Sequence, residues 1–274
     1  MSLFQVAKRF YRSHAYMYPG LFSYQQREMA AIRSQLNIVH DSDFRVLSML
    51  RLPDVPLVID IGANLGQSIG SIKAVLGRSL IKAFEPNPAS FQKLSELYNA
   101  DENVELFHCA IGNDVGVIEL AVPECGGISF HQLANISTTN EDAISDFLER
   151  EGFTWAKRHR VTFRKEAVEI ATLDSFGFEP HIIKIDVEGA EYDVICGGLA
   201  TIERCKPALL VESGERSEIV SLLRDRGYGR YLYREDAIVP AGADAALNSI
   251  FLTDDHLQTL RRNKETEEAA IASE

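Results

Sequence analysis

The run Leu57-Val58-Ile59-Asp60-Ile61, followed at once by Gly62-Ala63-Asn64-Leu65-Gly66, constrains this chain more than any other stretch. A nearly unbroken apolar run that ends in an acid and a small-residue turn reads as a strand buried on both faces, feeding a helix over Gln67–Leu76. The two glycines let backbone approach another group at a distance that a Cβ would block. A helix beginning there offers free N–H groups and about half a positive charge to an anionic group. The glycine spacing is G-x-x-x-G, which departs from the G-x-G-x-x-G of dinucleotide enzymes.

Strand and helix signals alternate from Leu57 onward, the pattern of a parallel sheet covered by helices on both faces. Strands are predicted at Leu57–Ile61, Leu80–Phe84, Val104–Cys109, Val115–Val122, Ala167–Leu173, Ile182–Val187 and Ala208–Glu212, with Tyr228–Tyr233 and Asn248–Leu252 as closing, antiparallel strands. Helices are predicted over Ala89–Asn99, Tyr192–Cys205 and Glu215–Arg226, and a short one over Glu141–Arg150. Pro123, Gly126, Gly127 and a polar run at Asn135–Asn140 mark residues 123–160 as an irregular insertion within a domain spanning 57–253. Residues 1–56 read as a helical, aromatic-rich extension with Lys8, Arg9 and Arg12 among its rings. Such a segment suits packing on its own domain, pairing with a twin subunit, or peripheral contact with a membrane surface. Residues 254–274 read as a polar tail.

Forty acidic against 28 basic residues leave a formal net charge of −12, which argues against broad binding to nucleic acid. No run of 18 apolar residues spans a membrane, and the N-terminus lacks the apolar core of a signal peptide. Cys109, Cys125, Cys196 and Cys205 form no C-x-x-C and no zinc-site spacing with histidine, as expected of idle thiols in a cytoplasmic protein with no metal site.

In sheets of this kind the ligand lies beyond the carboxyl ends of the strands, where strand order reverses. Those ends carry acids here: Asp60, Glu85, Asp186 with Glu188, and Glu212. Glu85 follows Asp60 by 25 positions, near the offset of an acid that binds ribose hydroxyls; its alternative role is to cap the helix after Pro88. Strand alternation puts Lys184, Asp186 and Glu188 on one side, and a buried lysine requires a partner or a wet cleft.

Asp60-Ile61-Gly62-Ala63-Asn64-Leu65-Gly66, Phe84-Glu85-Pro86, Ala110-Ile111-Gly112, Thr172-Leu173-Asp174, Pro207–Glu212 and above all Ile183-Lys184-Ile185-Asp186-Val187-Glu188-Gly189-Ala190-Glu191 resemble the FkbM family of S-adenosylmethionine-dependent methyltransferases. The resemblance covers about residues 57–215 and leaves 1–56 and 123–160 unmatched. It implies a class I methyltransferase α/β fold: a Rossmann-like, seven-stranded, mostly parallel sheet between helices. It also implies O-methylation of a sugar, glycan or natural-product hydroxyl. Carried over by position, Asp60, Gly62, Ala63, Asn64, Gly66 and Ser68 would surround the methionine moiety and ribose of S-adenosylmethionine. Glu85 and Pro86 would hold the ribose diol, and Asn87, Ala110 and Ile111 would border adenine. Asp186 and Glu188 would face the transferring methyl group and the acceptor. His108-Cys109-Ala110 lacks the acid often found against adenine, leaving a backbone carbonyl or Asp114 for its amine.

For the chemistry, Asp186 is the expected general base, oriented by Glu188 and Lys184, with Glu212 and His131 as weaker candidates. Two further readings stay open: a metal-assisted methyltransferase holding Mg²⁺ on Asp186, Glu188 or Glu212, and a non-catalytic S-adenosylmethionine-binding subunit that supports a partner. A nicotinamide dehydrogenase fits neither the glycine spacing nor the Lys184 block.

Overall fold

The computed structural model describes residues 32, 36, 39–130, 133–134, 140–212, 214–242 and 248–260. Most of the aromatic extension, His131, the polar run at 135–139 and the tail from 261 therefore lie outside the described residues. Strands β1 (Leu57–Ile61), β2 (Leu80–Phe84) and β3 (Val104–Phe107) alternate with helices α1 (Gln67–Leu76) and α2 (Pro88–Tyr98). A second group follows: β4 (Ala110–Ile111), β5 (Gly116–Cys125), β6 (Ile128–Ser129), α3 (Glu141–Arg150) and β7 (Thr162–Ala171). The chain then resumes its first rhythm with β8 (Ile182–Ile185), α4 (Glu191–Gly197), α5 (Leu199–Cys205), β9 (Ala208–Glu212) and α6 (Ser217–Arg224). Strands β10 (Tyr228–Arg234), β11 (Ala237–Pro240) and β12 (Asn248–Thr253) close it.

The main sheet has the order β11-β10-β12-β9-β8-β1-β2-β3. Strands β3, β2, β1, β8 and β9 run parallel, while β12, β10 and β11 are added antiparallel. This is the Rossmann-like arrangement of class I methyltransferases, with one strand beyond the expected seven. The extra strand, β11, is folded back by Glu235-Asp236, both in the left-handed region at φ 50° and 58°. A two-residue hairpin turn needs that conformation at both positions, and Glu-Asp lacks the Asn-Gly signature that would have announced it.

Strand β1 is buried on both faces, so alternate residues feed different layers. Val58 packs with Ile69, Ile81 and Leu94 on one side. Ile59 and Ile61 pack with Ile183, Ile185, Val194 and Leu209 on the other. Ile59 is fully enclosed, so Ile59→Ala is expected to cost about 2–5 kcal/mol, read as a lowered urea midpoint with an unchanged slope.

Two predicted strands fall elsewhere than expected. Residues 116–125 and 162–171 pair with one another, antiparallel, in a separate sheet of order β4-β7-β5-β6. Among the described residues of 123–160, Phe130, Ile144, Leu148, Phe153 and Trp155 bury against one another beside this sheet. The helix predicted over 192–205 is two helices, α4 and α5, meeting at Gly198. Among the described residues no helix is long and apolar enough to cross a membrane, and all four cysteines are free thiols.

Candidate active site

Strand order reverses between β1 and β8, and the carboxyl ends of these strands open onto a cavity of about 240 Å³. The turn after β1 is held against β2 by two N–H groups: those of Gly62 and Ala63 both donate to the Phe84 carbonyl at 3.0 Å. Gly62 has φ +83°, and a Cβ there would stand 1.7 Å from the carbonyl oxygen of Asp186. Only glycine lets the two strand ends come this close. Gly66 is also left-handed, and a Cβ would strike the Tyr98 ring at 2.6 Å.

Glu85 is buried at 6 % exposure, and both its carboxylate oxygens are fixed by backbone. Asn64 N–H donates to Oε2 and Asn87 N–H to Oε1, each at 2.8 Å. Burial pushes its carboxyl up to about 7, against the pull of those two N–H groups. The capping role that was its alternative belongs to Asn87, whose side chain accepts from the N–H groups of Ala89 and Ser90 at the start of α2. Glu85 therefore keeps its remaining lone pairs for the cavity. Asn87 lines the cavity too, and its buried Nδ2 has no partner among the described residues. A donor orphaned there fits a ligand acceptor such as a purine nitrogen.

Beneath the turn lies a buried ionic layer. Lys184 Nζ stands 3.1 Å from Asp186 Oδ2 and 3.5 Å from Asp60 Oδ1, and donates to the Gly62 carbonyl at 3.2 Å. Ser68 Oγ donates to Asp60 Oδ2 at 2.5 Å. Burial alone would lower Lys184, but Asp186 and Asp60 hold its ammonium above the ordinary lysine range. Burial likewise works to raise Asp186, yet Lys184 and a hydrogen bond with Glu212 hold it below the usual carboxylate range. Glu212 takes the opposite shift: its hydrogen bond to Asp186, together with burial, pushes it up to about 9, so it carries the shared proton. Burial and the Asp186 charge push Glu188 up to about 7. Oxygens of Asp186, Glu188 and Glu212 lie within 4.8 Å of one another.

Of the residues singled out from sequence, Gly62, Asn64, Glu85, Pro86, Asn87, Ala110, Ile111, Asp186, Glu188 and Glu212 line the cavity. Asp60, Ser68 and Lys184 form its underlying layer, while Ala63 is packed in the core and Gly66 lies against Tyr98. Asp114 is exposed, and the wall beside Ala110 is completed by Cys109. Leu120 of β5, with Leu133 and Ala134, covers the cavity from the second sheet. No sequence signal marked those three, because their place depends on how the second sheet folds over the first.

The FkbM methyltransferase domain model matches residues 60–229, more than half of the chain. Methyltransferase 1 of Beauveria bassiana is 27% identical over 226 residues, covering 77% of this chain and 88% of the relative. The 2-O-methyltransferase NoeI of Sinorhizobium fredii is 27% identical over 168 residues, covering 59% of this chain and 65% of the relative. Among solved structures, a methyltransferase FkbM from Methylobacillus flagellatus aligns with a TM-score of 0.46 at 16% identity, over 74% of this chain and 44% of that one. The chain thus spans less than half the length of that structure.

Proposed function

The chain belongs to the FkbM methyltransferase family, and from this premise we propose that it moves the methyl group of S-adenosylmethionine to a hydroxyl oxygen of a sugar, glycan or natural product. The observation that carries this reading is Glu85, a buried carboxylate locked by two backbone N–H groups at the rim of a cavity that Asp186 faces from β8. In this reading Glu85 accepts from both ribose hydroxyls, Asn87 Nδ2 meets the purine, and Gly62 and Asn64 border the methionine moiety. The relative named as a 2-O-methyltransferase favours oxygen as the accepting atom.

S-adenosylmethionine supplies an already activated methyl group, so the protein's task is to align oxygen, carbon and sulfur. Alignment of this sort accounts for about 7–11 kcal/mol of a barrier in favourable cases. Asp186, kept ionised by Lys184, accepts the acceptor's O–H hydrogen bond and stabilises the positive charge that develops on the oxygen. Glu188 and the protonated Glu212 stand beside Asp186 as a polar wall that suits a neutral, hydroxyl-rich acceptor. Lys184 already places a cation against Asp186, which favours metal-free transfer over the Mg²⁺ reading.

Incubation with methyl-labelled S-adenosylmethionine and a glycan and metabolite extract, with and without EDTA, tests this directly. The expected product is a methyl ether formed equally in both. Label on nitrogen or carbon, or loss of label with EDTA, would refute it.

The Glu85 carboxyl also sets a pH dependence. Ribose hydroxyls donate to the ionised form, so affinity for S-adenosylmethionine should fall as pH drops through about 7. The expected loss is about tenfold between pH 8 and pH 6, read by calorimetry. For the folding of the empty protein the sign is reversed. The carboxyl's pKa is raised from 4.5 to about 7, so its contribution is full below 4.5 and is lost as pH rises through 7.

A further inference from the structure

The chain leaves β8 through a turn with unusual backbone angles. Glu188 and Gly189 both lie in the left-handed region, at φ 54° and 104°. Glycine takes that region freely, whereas a glutamate there is disfavoured and stays only where its surroundings hold it. A turn that served chain reversal alone would take glycine or asparagine at such a position. Here the strained position carries a carboxylate that lines the cavity and lies within 4.8 Å of oxygens of Asp186 and Glu212. Glu188 also stays exposed, so it stands at the cavity mouth, where an acceptor reaches it.

Two residues outside the cavity lining hold this turn. The N–H of Gly189, part of the peptide it shares with Glu188, donates to Glu191 Oε1 at 2.9 Å. The Gly189 carbonyl accepts from Arg216 Nη1 at 3.1 Å. The peptide planes on both sides of Gly189 are thus fixed, and with them the direction in which Glu188 leaves the backbone. Glu191 is buried at 1 % exposure. Its Oε2 stands 3.8 Å from Arg216 Nη1 and has no hydrogen-bond donor among the described residues. A carboxylate enclosed to that degree depends on the Arg216 charge. Arg216 comes from the loop between β9 and α6, and Glu218 sets its geometry on the far side: Glu218 Oε1 accepts from Nε at 2.8 Å and lies 2.7 Å from Nη2. The planar guanidinium spans Gly189 and Glu218 at once, a fork that a lysine does not reproduce.

We propose that Arg216 is a positioning residue for the acceptor and that Glu188 is the specificity-determining residue it serves. With Glu191, Arg216 holds the Gly189 turn so that the Glu188 carboxylate accepts a hydrogen bond from a second hydroxyl of the acceptor, beside the hydroxyl that Asp186 binds for methyl transfer. Asp186 and Glu188 then read two neighbouring hydroxyls of one molecule. That selects a polyhydroxylated acceptor, as a sugar is, over a molecule with a lone hydroxyl. The selection is moderate, because an exposed carboxylate left without its hydroxyl regains water. This assignment rests on the methyl-transfer reading of the cavity.

The test uses the full chain. S-adenosylhomocysteine binding is measured first by calorimetry; failure of the wild type to bind would overturn the cofactor reading, and this proposal with it. The acceptor probe is the extract fraction that takes up labelled methyl from the wild type. A protein that binds S-adenosylhomocysteine and labels no fraction would overturn the methyl-transfer reading, and this proposal too. With that fraction diluted in series, Arg216→Ala and Glu188→Ala should each need about tenfold more of it for half-maximal rate, the loss of one hydrogen bond to an exposed carboxylate. Affinity for S-adenosylhomocysteine should change less than about threefold. The double variant should need no more than either single one, because both remove the same contact. Arg216→Lys keeps the charge beside Glu191 and should fall between the wild type and Arg216→Ala; it carries the test if Arg216→Ala does not fold. The labelled product should keep a free hydroxyl on a carbon next to the methyl ether. An unchanged half-maximal amount in the Arg216 variants, penalties that multiply in the double variant, loss of S-adenosylhomocysteine binding on changing Arg216, or methylation of a molecule with a lone hydroxyl would each overturn it.

Discussion

Asp186→Asn is expected to lower methyl transfer by about 10²–10³-fold while affinity for S-adenosylmethionine changes only a few-fold. The carboxylate faces the cavity from the end of β8, and its negative charge is secured by Lys184 at 3.1 Å. An amide keeps the shape but loses the charge that stabilises the cationic oxygen, so the deficit should fall on kcat rather than on KM for the cofactor. Lys184 would keep Asp60 at 3.5 Å and the Gly62 carbonyl at 3.2 Å. The turn should therefore hold, and calorimetry with S-adenosylhomocysteine should show a cofactor site still formed. Single-turnover rates with labelled donor and acceptor extract measure the loss; a variant that turns over at the wild-type rate would remove Asp186 from the reaction.

Glu85→Ala is expected to weaken S-adenosylmethionine binding by about 10²–10⁴-fold. Two hydrogen bonds from hydroxyls to a charged acceptor are worth about 1.5–3 kcal/mol each, and the low dielectric of the cavity keeps them near that range. The truncation also strands two backbone donors, those of Asn64 and Asn87, which now give 2.8 Å bonds to the carboxylate. Each orphaned donor costs about 1–3 kcal/mol, so the melting temperature should fall as well. Glu85→Gln separates the two effects. It restores an acceptor to one N–H, recovers much of the stability, and removes the fall in affinity between pH 8 and pH 6. An Ala variant that binds the cofactor as tightly as the wild type would show that the ribose lies elsewhere.

The parts of the molecule legible in the sequence are those where one stretch carries its whole reason. Apart from Asp60, Leu57–Ile61 is apolar on both faces, so it had to be an inner strand, whereas the place of its terminal turn at the switch in strand order emerged only from the pairing. The acids at Asp60, Glu85, Asp186 and Glu212 could be listed as strand ends because each follows an apolar run. What stayed hidden depends on partners far away in the chain. Alternation at 116–125 and 162–171 signals strands but does not say which sheet they join, and the two chose each other. The division of labour among the carboxylates was hidden too. Asp60 and Asp186 both sit near Lys184, but only contact between the ends of β8 and β9 lets Glu212 share a proton with Asp186.

A crystal structure of the chain with S-adenosylhomocysteine addresses the central point most directly. Both ribose hydroxyls should lie about 2.6–3.0 Å from the Glu85 carboxylate oxygens, with the sulfur directed toward Asp186. A nucleoside bound outside this cavity, or a Glu85 carboxylate with no ribose hydroxyl in contact, would contradict it.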